Sequence, residues 1–123
     1  MLILNVDDYA QARYVKTRLL RNAGFVVAEA GNGQEAISMA AALLPSLMLL
    51  DVRLPDIDGI EVCRRIMADP ATCAIRVIHI SAAFITTRDI AKGIASGASE
   101  YIVVPYEPQE LIAVVRREAA WAR

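Results

Sequence analysis

Four polar residues stand where chemistry could be done. Asp7 and Asp8 close the apolar run "LILNV", Asp51 closes "SLMLL", and Ser81 closes "RVIHI". Carboxylates brought close together repel one another, and protonating one is a costly remedy at neutral pH. A bound divalent cation is the natural remedy. Oxygen-only ligands favour Mg²⁺, which usually takes one or two carboxylates plus waters and a phosphate oxygen. Capping of the first helix would account for one aspartate, but not for three acids converging on one edge. The chemistry therefore depends on whether the elements bring these runs side by side.

The chain alternates short apolar runs with amphipathic stretches and has no linker, repeat or low-complexity tract. "LILNV", "FVVAEA", "SLMLLD", "RVIHIS" and "YIVV" read as strands. The third is apolar up to its final Asp, as in a parallel strand buried on both faces. The first helix is expected to carry Ala12, Val15, Leu19 and Ala23 on its buried stripe, with Lys16 at the stripe's edge and Arg13, Arg18 and Arg21 elsewhere. Gly24 stops it. The second helix runs from about Gly33 to Leu44 and ends at Pro45. Asp58 suits the cap of the third, with Glu61 three residues on. The fourth lies around Arg88 to Ser96 and closes with Gly97. Pro108 suits the first turn of the fifth, which runs through Leu111, Ile112, Val115 and Ala119. Strands alternating with helices predict an α/β doubly wound parallel sheet with right-handed crossovers. Ligands of such sheets bind at the carboxyl ends of the strands, near the point where strand order reverses. Asp7, Asp8, Asp51 and Ser81 all belong to that edge.

Composition narrows the function. A length of 123 residues suits one domain, residues 1–123. The apolar fraction of 56% is spread through the chain, and no run is long enough to span a membrane. "MLILNVDD" turns acidic too early for a signal peptide. A net charge of −1 without a dominant basic patch argues against nucleic-acid binding by this chain. Cys63 and Cys73 have neither metal nor redox spacing and read as unpaired thiols in a reducing, cytoplasmic compartment. His79 reads as a partly buried strand residue. A phosphohydrolase of the haloacid dehalogenase type wants a second Asp two residues after a strand-one nucleophile, and Tyr9 stands there instead. A flavodoxin needs a phosphate-cradling first loop, whereas "DDYAQAR" would repel a phosphate unless metal intervened. No enzymatic turnover is expected.

The pieces "VDD" (6–8), "LLDVRLPDIDG" (49–59), "ISA" (80–82) and "GASEYIVVPY" (97–106) occur in order over almost the whole chain. In these the sequence resembles a receiver domain of the bacterial response-regulator family of two-component signal transduction. The resemblance implies a flavodoxin-like (βα)5 fold with strand order 2-1-3-4-5. It implies that a partner histidine kinase or histidine phosphotransfer protein donates a phosphoryl group to Asp51. Asp7, Asp8, Asp51 and the backbone carbonyl of Arg53 would hold Mg²⁺, weakly when no phosphate is present. Ser81 would supply the hydroxyl that turns to the phosphoryl group, and Tyr101 the aromatic switch on strand five. Pro55 and Gly59 would shape the loop after Asp51. An effector domain can accompany the receiver in a longer chain. An aspartate is a competent nucleophile towards phosphorus, and phosphoryl transfer needs mainly positioning and charge neutralisation.

One position departs from the pattern. The family's fifth strand normally ends Lys-Pro, with a cis bond between them and the lysine amine on the phosphoryl group. Here Val104 precedes Pro105. A cis Val104–Pro105 bond is still expected, but the cation is not, and altered switching follows. Arg53, at the rim, is the nearest substitute by this reading, with Arg88 and Lys92 further off. The alternative is a degenerate receiver that acts as a phosphorylation-independent interaction module. Ile90, Ile94, Glu100, Arg116 and Arg117 are candidates for a partner face.

Overall fold

The computed structural model describes residues 1–81 and 87–121, so Ala82 of the "ISA" motif lies outside the described residues. The elements run β1 (Leu2–Val6), α1 (Ala10–Asn22), β2 (Val26–Ala30), α2 (Gly33–Leu43), β3 (Leu47–Asp51), α3 (Gly59–Ala68), β4 (Arg76–Ser81), α4 (Thr87–Ala95), β5 (Glu100–Val103) and α5 (Pro108–Ala119). All strand pairs are parallel and the sheet order is β2-β1-β3-β4-β5, the expected doubly wound fold. Strand order reverses between β1 and β3. Val6 pairs with Leu50 there, so the residues that follow them, Asp7 and Asp51, stand at the same level of the sheet's edge.

Both faces of the sheet are covered, which is why β3 is apolar without alternation. Met48 and Leu50 point into a core that also takes Ala36, Ala40, Val62 and Ile66 from α2 and α3. Leu47 and Leu49 point into the opposite core, with Leu20 of α1 and Leu111, Val114 and Val115 of α5. Helix ends follow the punctuation of the sequence. Gly24 and Gly97 take φ of 98° and 109° just beyond α1 and α4, and Pro108 occupies the first turn of α5. Asp58 Oδ1 accepts from the Ile60 amide at 2.7 Å. Glu61 does not complete a capping box; its carboxylate is drawn instead to Arg64 and Arg65 on its own helix.

Two expectations are corrected. Helix α1 is rotated relative to the predicted stripe. Its buried residues are Lys16, Thr17 and Leu20, while Val15 is 53% exposed. The reason is polar. Asn5 Nδ2 donates to Thr17 Oγ1 (3.0 Å) and to the Arg13 carbonyl (2.9 Å), and Thr17 Oγ1 donates to Glu29 Oε2. Arg13 Nη1 donates to the Asp7 carbonyl at 2.7 Å. Unpartnered buried polar groups are expensive, so these bonds outweigh the burial of one valine. His79 is fully rather than partly buried, and that burial pushes its pKa down, so the ring stays neutral in the core. Cys63 is buried and Cys73 exposed, both free as expected.

Candidate functional site

At the carboxyl ends of β1 and β3, Asp7, Asp8 and Asp51 each offer an oxygen within 4.8 Å of the others. Asp7 is almost fully buried, Asp51 half-buried and Asp8 exposed. These groups open into a cavity of about 660 Å³ whose walls also include Lys16, Arg53, Ser81, Val104, Pro105 and Tyr106. An oxygen-only donor set of this size and charge fits Mg²⁺.

The loop after Asp51 is held from several sides. The Arg53 amide donates to Asp51 Oδ1 at 3.0 Å, and the Val52 amide donates to the Ile80 carbonyl at 3.1 Å. Asp56 caps α2 from across the loop, its two oxygens accepting from the Gly33 and Gln34 amides at 2.8 Å each. Those bonds lower its pKa below the usual carboxylate value. The Gly59 amide closes the loop onto the Val52 carbonyl at 2.8 Å.

Burial raises the Asp51 pKa to about 6. The Arg53 amide opposes the rise, as does the charge of Lys16, while Asp7 and Asp8 add to it. Desolvation is thus the main cause, and the neighbouring carboxylates reinforce it. Burial, with a smaller effect of the Asp7 charge, pushes the Tyr106 hydroxyl up to about 12, so it remains a donor throughout the physiological range.

Most of the expected residues meet here. Ser81 is buried at the end of β4, and its carbonyl accepts from the Val104 amide at 2.7 Å. Val104 therefore prolongs the β4–β5 ladder by one residue and turns into Pro105 through a cis bond. Arg53 lines the cavity and is exposed. Arg88 and Lys92, exposed on α4, do not line it.

Tyr101 is not part of the cavity. It pairs with His79 across β5 and β4, the two ring centroids 5.9 Å apart, and its ring lies against α4 at Gly93. A Cβ on Gly93 would stand 2.8 Å from Tyr101 Cδ2 and Cε2 and 3.2 Å from His79 Cδ2. Gly93→Ala is therefore expected to drive the Tyr101 ring to another rotamer at an overpacking cost of about 1–3 kcal/mol. Tyr101 ring proton shifts should move well beyond those of distant residues. A ring left in its wild-type environment would contradict this packing.

The main correction concerns charge. The acidic cluster is not without a cation. Lys16, buried on α1, places Nζ 2.9 Å from Asp7 Oδ2. Apolar periodicity alone sets Lys16 at the edge of a stripe and so hides its charge from the site. A lysine among Ala12, Val15 and Leu19, one helix after two aspartates, was the available signal. Tyr106 was likewise missed as a wall of the site.

A sequence profile described as "Response regulator receiver domain" matches residues 3–116. The DNA-binding response regulator MtrA of Mycobacterium tuberculosis is 40% identical over 114 residues, covering 93% of this chain and 48% of its own. The phosphate regulon transcriptional regulatory protein PhoB of Pseudomonas aeruginosa is 39% identical over 111 residues, covering 90% and 48%. The chain thus spans about half the length of these curated relatives. A solved chain from Chloroflexus aurantiacus, assigned as a response regulator, superimposes with a TM-score of 0.91 at 33% identity, covering 97% of both chains.

Proposed function

The chain belongs to the response-regulator receiver family, and from that premise we propose that it accepts a phosphoryl group on Asp51 from the phosphohistidine of a histidine kinase or phosphotransfer protein. The observation that carries this is the placement of Asp7 and Asp8 within 4.8 Å of Asp51 at the reversal of strand order. Asp51 Oδ1 is engaged by the Arg53 amide. Oδ2 is thus the oxygen available to attack phosphorus. The new bond is O–P, the broken bond is P–N, and its electron pair returns to the imidazole of the donor. The product is an acyl phosphate at the acidic edge.

Asp7, Asp8 and Asp51 would hold Mg²⁺ through their carboxylates, with the Arg53 carbonyl as the family's further ligand. When bound, the metal supplies positive charge for the equatorial phosphoryl oxygens. The chain's own residues do the rest. The Arg53 amide fixes the acceptor, Ser81 offers a hydroxyl from the end of β4, and the Tyr106 hydroxyl and Pro105 bound the cavity. Tyr101, held between His79 and Gly93, is the aromatic switch of this reading.

Val104 removes the family's strand-five cation, so the strength of switching depends on a positive charge from elsewhere. Val104 also favours the second reading, a degenerate receiver that binds partners without being phosphorylated. The relatives' longer chains suggest an effector domain as the output. Among the described residues no helix is long and apolar enough to cross a membrane.

Intact-mass measurement after incubation with acetyl phosphate and Mg²⁺, and with a phosphohistidine donor, tests the proposal. One phosphoryl group per chain, mapped to the peptide that holds Asp51, is expected. No uptake from any donor would leave only the degenerate reading.

A further inference from the structure

We propose that Lys16 is the working cation of this site. It holds Asp7 when the site is metal-free and turns to the phosphoryl oxygens on Asp51 when Asp7 is taken up by metal, in place of the strand-five lysine that Val104 displaced. The inference rests on Asp51 being the acceptor.

Three observations carry it. First, a lysine with only 4% of its side chain accessible is a rare object, and burial of that kind requires a partner. Its partner is Asp7 Oδ2 at 2.9 Å, on a carboxylate of the metal-binding set. Asp7 Oδ1 is already engaged by the Tyr9 amide at 2.9 Å, so the ammonium and a metal ion compete for the same face of the carboxylate. Second, the helix that carries Lys16 is held in this rotation. The bonds of Asn5 and Glu29 to Thr17, and of Arg13 to the Asp7 carbonyl, flank it on both sides. The backbone is therefore tied so that Lys16 faces the cavity, and the flexible part is its four-carbon stem. Third, Lys16 and Val104 line the same cavity. The ligand oxygens of Asp7 and Asp51 lie within 4.8 Å of each other, so a small swing of the stem carries Nζ from one to the other. Arg53 also lines the cavity but is exposed and fixed by no salt bridge among the described residues. An exposed arginine contributes less than a desolvated ammonium in the same field.

The two roles predict effects of opposite sign, which a lysine that merely packs α1 would not produce. In Lys16→Met a competing cation is gone, so Mg²⁺ alone, titrated calorimetrically, should bind about tenfold more tightly. Beryllofluoride, a mimic of the acyl phosphate, should bind about ten- to hundredfold more weakly at saturating Mg²⁺, through loss of one charge-assisted contact. Lys16→Met/Val104→Lys, which returns the cation to strand five, should recover most of the beryllofluoride affinity. In the unsubstituted protein the Lys16 ammonium resonance should shift on addition of beryllofluoride with Mg²⁺, a readout independent of whether the variants fold. Wild type that takes no beryllofluoride at saturating Mg²⁺ overturns the reading of Asp51 and this proposal with it. Wild type that binds it with no movement of the Lys16 resonance, or Lys16→Met that binds it as tightly as wild type, overturns the role of Lys16 alone.

Discussion

Asp51→Asn should abolish phosphoryl uptake and, in metal-free protein, raise the stability of the fold at neutral pH. The first effect follows from chemistry: an amide oxygen is a poor nucleophile towards phosphorus, so the mass increase should vanish altogether. The second follows from the raised pKa of Asp51, about 6 against a usual value of 3.8. A carboxylate whose folded pKa lies above its unfolded pKa binds more protons in the folded state between those two values. Stability therefore falls as pH rises through that window, with the full cost present above pH ~6 and none below pH ~4. Two pH units would correspond to ~3 kcal/mol. Asp51 keeps some contact with solvent, which screens the effect, so a gain of about 1–2 kcal/mol for the Asn variant is expected at pH 7. Denaturant unfolding in chelator from pH 3.5 to 8 measures it. The gain should disappear at the acidic end and shrink on addition of Mg²⁺. A gain independent of pH, or a loss at pH 7, would show that Asp51 is not an uncompensated carboxylate.

Gly59→Ala should damage both fold and site. Gly59 opens α3 where that helix touches the strand that carries the acceptor. A Cβ there would stand 2.3 Å from the Asp51 carbonyl oxygen and 2.8 Å from the Val52 Cα. Both atoms belong to backbone that pairs with β4, so neither can swing aside as a side chain would. Relief requires α3 to lift or the Asp51–Val52 segment to shift. We expect a destabilisation of about 3 kcal/mol, at the upper end of overpacking costs. We also expect phosphorylation to slow by up to about a hundredfold, since displacements near 1 Å at a reacting group cost that much. Unfolding midpoints and the time course of uptake from acetyl phosphate provide the two measurements. An alanine variant with wild-type stability and rate would mean that α3 does not fix the acceptor loop.

The sequence by itself determined the sheet and its reactive edge. The run "SLMLLD" is apolar up to its final Asp because both faces of a parallel strand are covered, and Pro45 precedes it as Gly24 precedes the second run and Pro105 follows the last. These are local features, and they suffice to put Asp7, Asp8, Asp51 and Ser81 on one edge. The cis bond at Val104–Pro105 was likewise expected from the motif that surrounds it. What only tertiary structure decided is the rotation of α1. By apolar periodicity that helix should bury Ala12, Val15, Leu19 and Ala23. It instead turns Lys16 and Thr17 inward, because Asn5 and Asp7 follow from β1 and Glu29 from β2, and each requires a polar partner. Those partners lie up to 12 residues away in sequence and become neighbours only when β1 and β2 pair. Helical periodicity sums hydrophobic burial along one element, and it is blind to the cost of leaving a buried carboxylate or amide on a neighbouring strand unpartnered. That cost rotates the helix, and the rotation puts a positive charge beside Asp7 that the end of strand five no longer carries.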